Sequence, residues 1–286
     1  MSRIGVIGGS GLYEIEGIRA VKHLKVTTPF GKPSGELTIG TFKGREIVFL
    51  PRHGKGHTIS PGEINYRANI YAMKKLGVER IIAVAACGSL KEEIRPLDFV
   101  AVDQFVDRTN SARKMSFFER GIVAHVMFAQ PVCGQLHKAL CRAGSVSGVR
   151  MHEKGTYLNM EGPAFSTLAE SSLYRSWGMD VIGMTNMAEA RLAREAEICY
   201  VSLAAVTDYD CWHKDYVNVS VEMVIANLHK NVENAKRIIF NAIESLPEER
   251  ECSCGRALKN AICTDRKAIT PAVRKRISLL AGKYIK

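Results

Sequence analysis

Cys199-Tyr-Val-Ser-Leu-Ala-Ala-Val-Thr-Asp208-Tyr-Asp210-Cys-Trp212 reads as a buried strand that ends in two carboxylates and an indole. The apolar run is short, partly β-branched and stops abruptly at polar residues, the pattern of a central parallel strand covered on both faces. In open α/β sheets, ligands bind in the crevice beyond the carboxyl ends of such strands. An acid placed there loses part of its hydration, which raises its pKa and lets it donate a proton near neutral pH. The same spacing would also let Asp208 and Asp210 cap the segment that follows, and the run alone leaves both readings open.

Working outward, residues 3–9 form a first strand that ends in Gly8-Gly-Ser10-Gly11. Segments near 36–42 and 45–50 pair as a hairpin turned at Lys43-Gly44. Helical spacing runs from Asn65 to Leu76 and is closed by Gly77. Strands follow at 80–86 and 98–106, and 107–130 is irregular, an excursion near the site. A helix over 132–143, a strand or two up to Met160, a strand at Asp180–Met184 and a helix at Ala188–Glu197 lead to the opening run. Ser220–Leu246 carries an apolar stripe at helical spacing, from Val221 and Val224 through Leu228 and Val232 to Ile239. Pro247 ends it, and a last helix starts at Pro271 with Thr270 as its cap. Strands and helices alternate without a linker-like break, so we expect one α/β domain over 1–286: a central mixed, twisted sheet flanked by helices, with a basic helical extension at about 250–286.

The 286 residues are 46% hydrophobic and 24% charged, enough for a sizeable core. No apolar run suggests a membrane span, and the N-terminus lacks a signal peptide's apolar region, so a cytoplasmic protein is expected. Of the net charge of +11, residues 250–286 contribute +8. That tail reads as a solvated face or subunit contact; without zinc-finger, RNA-recognition or KH signatures, and with Tyr284 its only aromatic, nucleic acid is not the expected partner. Eight cysteines are many for a cytosolic chain. Cys252-Ser-Cys254 is tighter than the usual separation of zinc ligands and no His pair follows, so no metal site is expected. Buried thiols, reactive thiols and disulfides all remain open.

Several strand ends offer donors suited to phosphate. The glycine turn around Ser10 lets backbone approach an anion, although it is neither a dinucleotide fingerprint nor a P-loop and could be a plain tight turn. Arg52-His53 pairs a fixed fork of donors with an imidazole, or else forms a surface basic loop. Ala85-Ala86-Cys87-Gly88-Ser89 ends a strand in small residues; Cys87 reads as packing rather than nucleophile, since no His pairs with it. Met184-Thr185 ends another strand.

Taken in order and spacing, these stretches, with Asn65-Tyr-Arg-Ala-Asn-Ile70, Asp103-Gln-Phe-Val-Asp-Arg108 and Glu161-Gly-Pro163 followed by Phe165-Ser166, resemble the trimeric purine nucleoside phosphorylase family, and within it the members that act on 5′-methylthioadenosine. The resemblance implies phosphorolysis, in which phosphate attacks C1′ of the ribose as adenine leaves. It implies a homotrimer or dimer of trimers, and no cofactor or metal, phosphate being a co-substrate. Phosphate would be held by Ser10, Arg52, His53, Ala86 and Thr185, and the base by Phe165, Cys87, Gly88, Asp208 and Asp210. Asp208 would be the catalytic group at N7, and Met184 would pack under the ribose. Val221, Val224 and Ile225 would line the pocket for the 5′ substituent, with His125 reaching in from a neighbouring subunit. A broader purine nucleoside phosphorylase, taking adenosine, inosine or guanosine, is the alternative. Departures from the family pattern are Ala85, Ala164, Gly183 and Ala188. Some thermophilic relatives carry disulfides, which would correspond here to Cys252–Cys254 and Cys133–Cys199.

Overall fold

Strands and helices alternate along the chain much as the pattern predicts. The computed structural model describes residues 3–9, 12, 18–110, 113–213 and 221–285. The strands are β1 (Arg3–Gly8), β2 (Arg19–Leu24), β3 (Leu37–Phe42), β4 (Arg45–Pro51), β5 (Val78–Ser89), β6 (Phe99–Val102), β7 (Gln104–Arg108), β8 (Met151–His152), β9 (Thr156–Met160), β10 (Val181–Gly183) and β11 (Cys199–Asp208). The helices are α1 (Tyr66–Lys75), α2 (Gly134–Val146), α3 (Leu168–Ser176), α4 (Asn186–Glu195), α5 (Val221–Ser245) and α6 (Pro271–Ala281).

All eleven strands join one mixed sheet, as expected. Its path runs β2-β3-β4-β1-β5-β10-β9-β7, and β11, β6 and β8 branch from β5. β1 lies parallel to β4 and β5, and β11 parallel to β5, so four strands bring their carboxyl ends to one edge. Every residue of β11 is buried, which explains its unbroken apolar run. One face of the sheet is covered by α1, α4 and α6, whose Ile70, Leu192 and Ile277 share a core cluster; the other is covered by α2 and α5 through Leu140, Ile239 and Ile243.

Local chemistry accounts for the boundaries. The Asn65 side chain accepts from the Ala68 N–H at the start of α1, and Gly77 adopts φ +75° just past its end. Thr270 caps α6, with Pro271 at its first position. The hairpin turn at Lys43-Gly44 has φ of +46° and +81°, the mirror-image turn that suits the twist of the two strands.

Three departures have physical causes. The strand expected over 98–106 is two, because Asp103 pairs with Gly155 through both its backbone and its carboxylate and carries the chain from the β11 ladder to that of β9. β2 was invisible because all six of its residues are exposed on an edge, which leaves no apolar alternation. α3 starts at a capping box, Thr167 with Glu170, that the sequence reading passed over.

The basic tail is docked onto the body. Val273, Ile277, Leu280 and Ile285 are buried, Lys283 pairs with Glu197 (2.6 Å), Arg250 pairs with Glu79 (3.3 Å), and Arg276 donates to the Glu119 carbonyl. Among the described residues no helix is long and apolar enough to cross a membrane.

The cysteines correct the sequence reading. All eight are thiols, and neither Cys133–Cys199 nor Cys252–Cys254 is bonded. Instead the sulfurs of Cys133, Cys199, Cys252 and Cys254 gather within 4.8 Å of one another. The expectation of no metal site came from local spacing, whereas this cluster is assembled from three segments far apart in sequence.

Candidate active site

The carboxyl ends of β1, β4, β5 and β11, the turn after β10 and the inner face of α5 enclose a cavity of about 360 Å³. That is within the range of small-molecule sites. It lies where the sheet topology places ligands.

At one part of its wall stands Asp208, the last residue of β11 and 5% exposed. Burial raises its carboxyl pKa, opposed by a donated hydrogen bond from the Thr207 hydroxyl (2.7 Å) and another from the Asp210 N–H (2.8 Å). Gly88 on β5 makes the fit possible, since a Cβ there would lie 2.9 Å from Asp208 Oδ1 and 3.3 Å from the Asp210 nitrogen. Asp210 adopts φ +53°, a left-handed conformation that aspartate tolerates better than most residues. Burial raises its pKa too, opposed by the nearby Ser171 and Ser166 hydroxyls. The capping alternative is partly met, since Asp208 does hold the turn, but through a carboxyl that also lines the cavity. The indole of Trp212 serves the scaffold: it donates to the Ser89 carbonyl (2.8 Å) and carries the Arg175 guanidinium at 3.4 Å from its ring centre.

Elsewhere the wall is built for an anion. Arg52 is 2% exposed and donates through Nε and Nη2 to Glu189 (2.6 and 3.1 Å) and through Nη1 to the Val84 carbonyl (2.7 Å). A guanidinium has five N–H groups, so two remain. Glu189 also accepts from the Tyr200 hydroxyl (2.9 Å), which fixes the carboxylate and through it the arginine. Thr185 precedes α4 and lines the same cavity, placing the positive end of a ten-residue helix beside Arg52. His53 stacks on His57 and its Nδ1 is 2.9 Å from the Ile59 carbonyl, so Nδ1 carries the proton. Burial pulls its pKa down to about 4, with Arg52 adding to the effect. The ring is therefore neutral near pH 7 and its Nε2 is an acceptor.

Of the residues singled out in the sequence, Arg52, His53, Ala86, Cys87, Gly88, Phe165, Met184, Thr185, Asp208 and Asp210 line this one cavity. Burial pushes the Cys87 thiol far up, consistent with packing rather than nucleophilic chemistry. Ser10 lies outside the described residues, as do the side chains of Val221 and Val224. Ile225 is 46% exposed and does not line the cavity, and His125 is exposed and away from it. Among the described side chains of α5, Leu228, Val232 and Ala235 line it. These stand on the same apolar stripe as Val221 and Val224, so the helical period located the face.

The reading also missed Glu189 and Arg113. The Arg113 side chain is buried in the irregular 107–130 segment, pairs with Glu161 (3.0 Å) and donates to the Met184 and Glu161 carbonyls, holding the turn after β10. Asn231 donates to the Val206 carbonyl (2.9 Å), while its Oδ1 is a buried acceptor without a partner at the cavity wall. Gly183, one of the departures noted above, is explained by Tyr157, whose hydroxyl occupies the space that a Cβ would need.

Residues 3–244 match the family model described as the phosphorylase superfamily. The S-methyl-5′-thioadenosine phosphorylase of Geobacter sulfurreducens is 56% identical over 282 residues, covering 99% of both chains. A methylthioadenosine phosphorylase from an antarctic soil metagenomic library superposes with a TM-score of 0.93 at 44% identity, over 98% of each chain. An adenosine/methylthioadenosine phosphorylase mutant from Schistosoma mansoni, solved with methylthioadenosine, superposes with a TM-score of 0.84 at 36% identity, over 91% of this chain and 96% of that one.

Proposed function

The chain belongs to the phosphorylase superfamily, and from that premise we infer that it cleaves S-methyl-5′-thioadenosine with inorganic phosphate, giving adenine and 5-methylthioribose 1-phosphate. The observation that carries the reading is the meeting, in one cavity, of a carboxyl raised by burial with an anion wall of Arg52, Thr185 and the start of α4.

A phosphate oxygen bonds to C1′ as the bond from C1′ to the purine nitrogen breaks, and the electron pair moves into the base. The transition state is oxocarbenium-like, so an anion beside C1′ and an acid at the base both stabilise it. Asp208 donates its proton to N7. The Asp210 carboxyl, at the cavity wall, accepts from the 6-amino group, whereas a 6-oxopurine would present an acceptor there. The remaining N–H groups of Arg52, the Thr185 hydroxyl and the backbone at Ala86 hold phosphate, with Ser10 completing the cradle. The Nε2 of neutral His53 accepts the P–O–H of monohydrogen phosphate. Phe165 stacks on the base and Met184 packs under the ribose. Phosphate is nucleophile and counter-charge at once, so the reaction balances without a cofactor.

Leu228 and Val232 offer the 5′ substituent an apolar wall. A 5′-hydroxyl left unpaired there costs about 1–3 kcal/mol, whereas a methylthio group gains from burial. The unpartnered Asn231 Oδ1 favours a second reading in which adenosine is also accepted, since it could take a hydrogen bond from a substrate hydroxyl. Exposed Leu168, Leu173 and Trp177 near Phe165 support assembly as a trimer or dimer of trimers, the arrangement that would bring His125 of one subunit to the site of another. A soluble enzyme of nucleoside salvage in the cytoplasm fits this reading.

Asp208→Asn tests it. The amide preserves the size of the group and removes the acid, so kcat for adenine release from methylthioadenosine should fall by about 10²–10⁴. Adenine release at the wild-type rate would refute the role given to Asp208.

A further inference from the structure

At the end of β11 opposite Asp208, four thiols converge. Cys133 immediately precedes α2, Cys199 is the first residue of β11, and Cys252 and Cys254 begin a short 3₁₀ turn beyond α5. All four sulfurs lie within 4.8 Å of one another, and those of Cys199 and Cys252 approach to 3.3 Å. An ion bound tetrahedrally with Zn–S distances of about 2.3 Å holds its sulfurs about 3.8 Å apart, in the middle of that range. Cys133, Cys199 and Cys254 are buried and Cys252 is half-buried, all within or against the same apolar cluster.

Two features of the surroundings offset negative charge on the sulfurs. Cys133 sits at the positive end of the thirteen-residue α2. Arg80, 1% exposed, lies close enough for its charge to be felt at Cys199 and Cys252, and it donates to the carbonyls of Pro247 and Glu249 on the approach to Cys252. Two disulfides would use the sulfurs in separate pairs, and one closing a single residue between Cys252 and Cys254 would be strained. Convergence of four sulfurs on one point is what a metal ion requires, and a tetrahedral set of four thiolates selects zinc or iron–sulfur chemistry.

We propose that Cys133, Cys199, Cys252 and Cys254 form a closed tetrathiolate site that binds one zinc ion per chain. Four S–H protons pass to solvent as four Zn–S bonds form, with no change of oxidation state, and Arg80 offsets part of the site's net charge of −2. Four protein ligands leave no open position, so the ion is structural. It pins α2 and the C-terminal segment to the start of β11, about 30 Å along that strand from Asp208. Zinc therefore acts on stability and not on the reaction.

The test is the zinc content of the full-length enzyme, purified under reducing conditions and equilibrated with zinc chloride, by elemental mass spectrometry. We expect one zinc per chain, released by an organomercurial and lost in Cys252→Ser, while Cys263→Ser, which removes the exposed thiol outside the cluster, retains it. The zinc-free enzyme should melt at lower temperature with unchanged turnover below its transition. Should Cys252→Ser fail to fold, cobalt substitution of the wild type keeps the question open to measurement, because a tetrathiolate gives intense sulfur-to-metal charge-transfer bands. Absence of bound zinc or of those bands would overturn the proposal, as would a mass deficit of two disulfides.

Discussion

Removing the Glu189 carboxylate leaves a guanidinium stranded in the core. Arg52 is 2% exposed and Glu189 is 1% exposed, and the pair is joined by two hydrogen bonds of 2.6 and 3.1 Å. Breaking such a pair from one side costs about 3–5 kcal/mol, because the remaining charge has neither water nor counter-ion. For 286 residues the unfolding entropy is roughly 0.6 kcal/mol per kelvin, so Glu189→Ala should melt about 5–8 °C below wild type in phosphate-free buffer. Scanning calorimetry at one fixed protein concentration measures this, since assembly also shifts the transition. Inorganic phosphate should then raise the melting temperature of the variant more than that of wild type, because the dianion takes the place of the lost carboxylate beside Arg52. A drop below about 1 °C, or equal stabilisation of both proteins by phosphate, would refute the account of Arg52 as a buried cation held for an anion.

Burial also shapes the acid response. His53 is pulled down to about 4 from its usual 6.5, so the unfolded chain binds a proton that the native state refuses between those values. Stability contributed by keeping this ring neutral is complete above pH 6.5 and is lost as pH falls toward 4, so His53→Gln should flatten that part of the melting-temperature profile; an unchanged slope would contradict it. Gly88→Ala should keep the fold but lower kcat at least tenfold, because its Cβ would lie 2.9 Å from Asp208 Oδ1; wild-type turnover would mean that the carboxyl need not sit where it does.

What was legible in the sequence is what local pattern encodes. The β11 run, the Lys43-Gly44 turn, and the caps at Gly77 and Thr270 all fall where periodicity and capping chemistry put them. Most of the ten site residues stand at or just beyond strand ends whose apolar runs announce themselves, whereas Phe165, in the loop between β9 and α3, was reached only through the family resemblance. Glu189 was not, since its partner lies 137 residues away and a glutamate inside a helix pattern looks like a solvated face. Arg113 was hidden for the same reason, in a segment without periodicity. The cysteine cluster joins residue 133 to residues 199, 252 and 254, a pattern that spacing rules for ligand pairs do not reach.

The central claim is that phosphate, and not water, takes the sugar. Phosphorus NMR of the enzyme with methylthioadenosine and inorganic phosphate tests it most directly. The account predicts one new sugar phosphate ester for each adenine released, no base release when phosphate is omitted, and slow turnover when inosine replaces methylthioadenosine. Adenine released at the same rate without phosphate, with no ester formed, would make the protein a hydrolase and contradict the account.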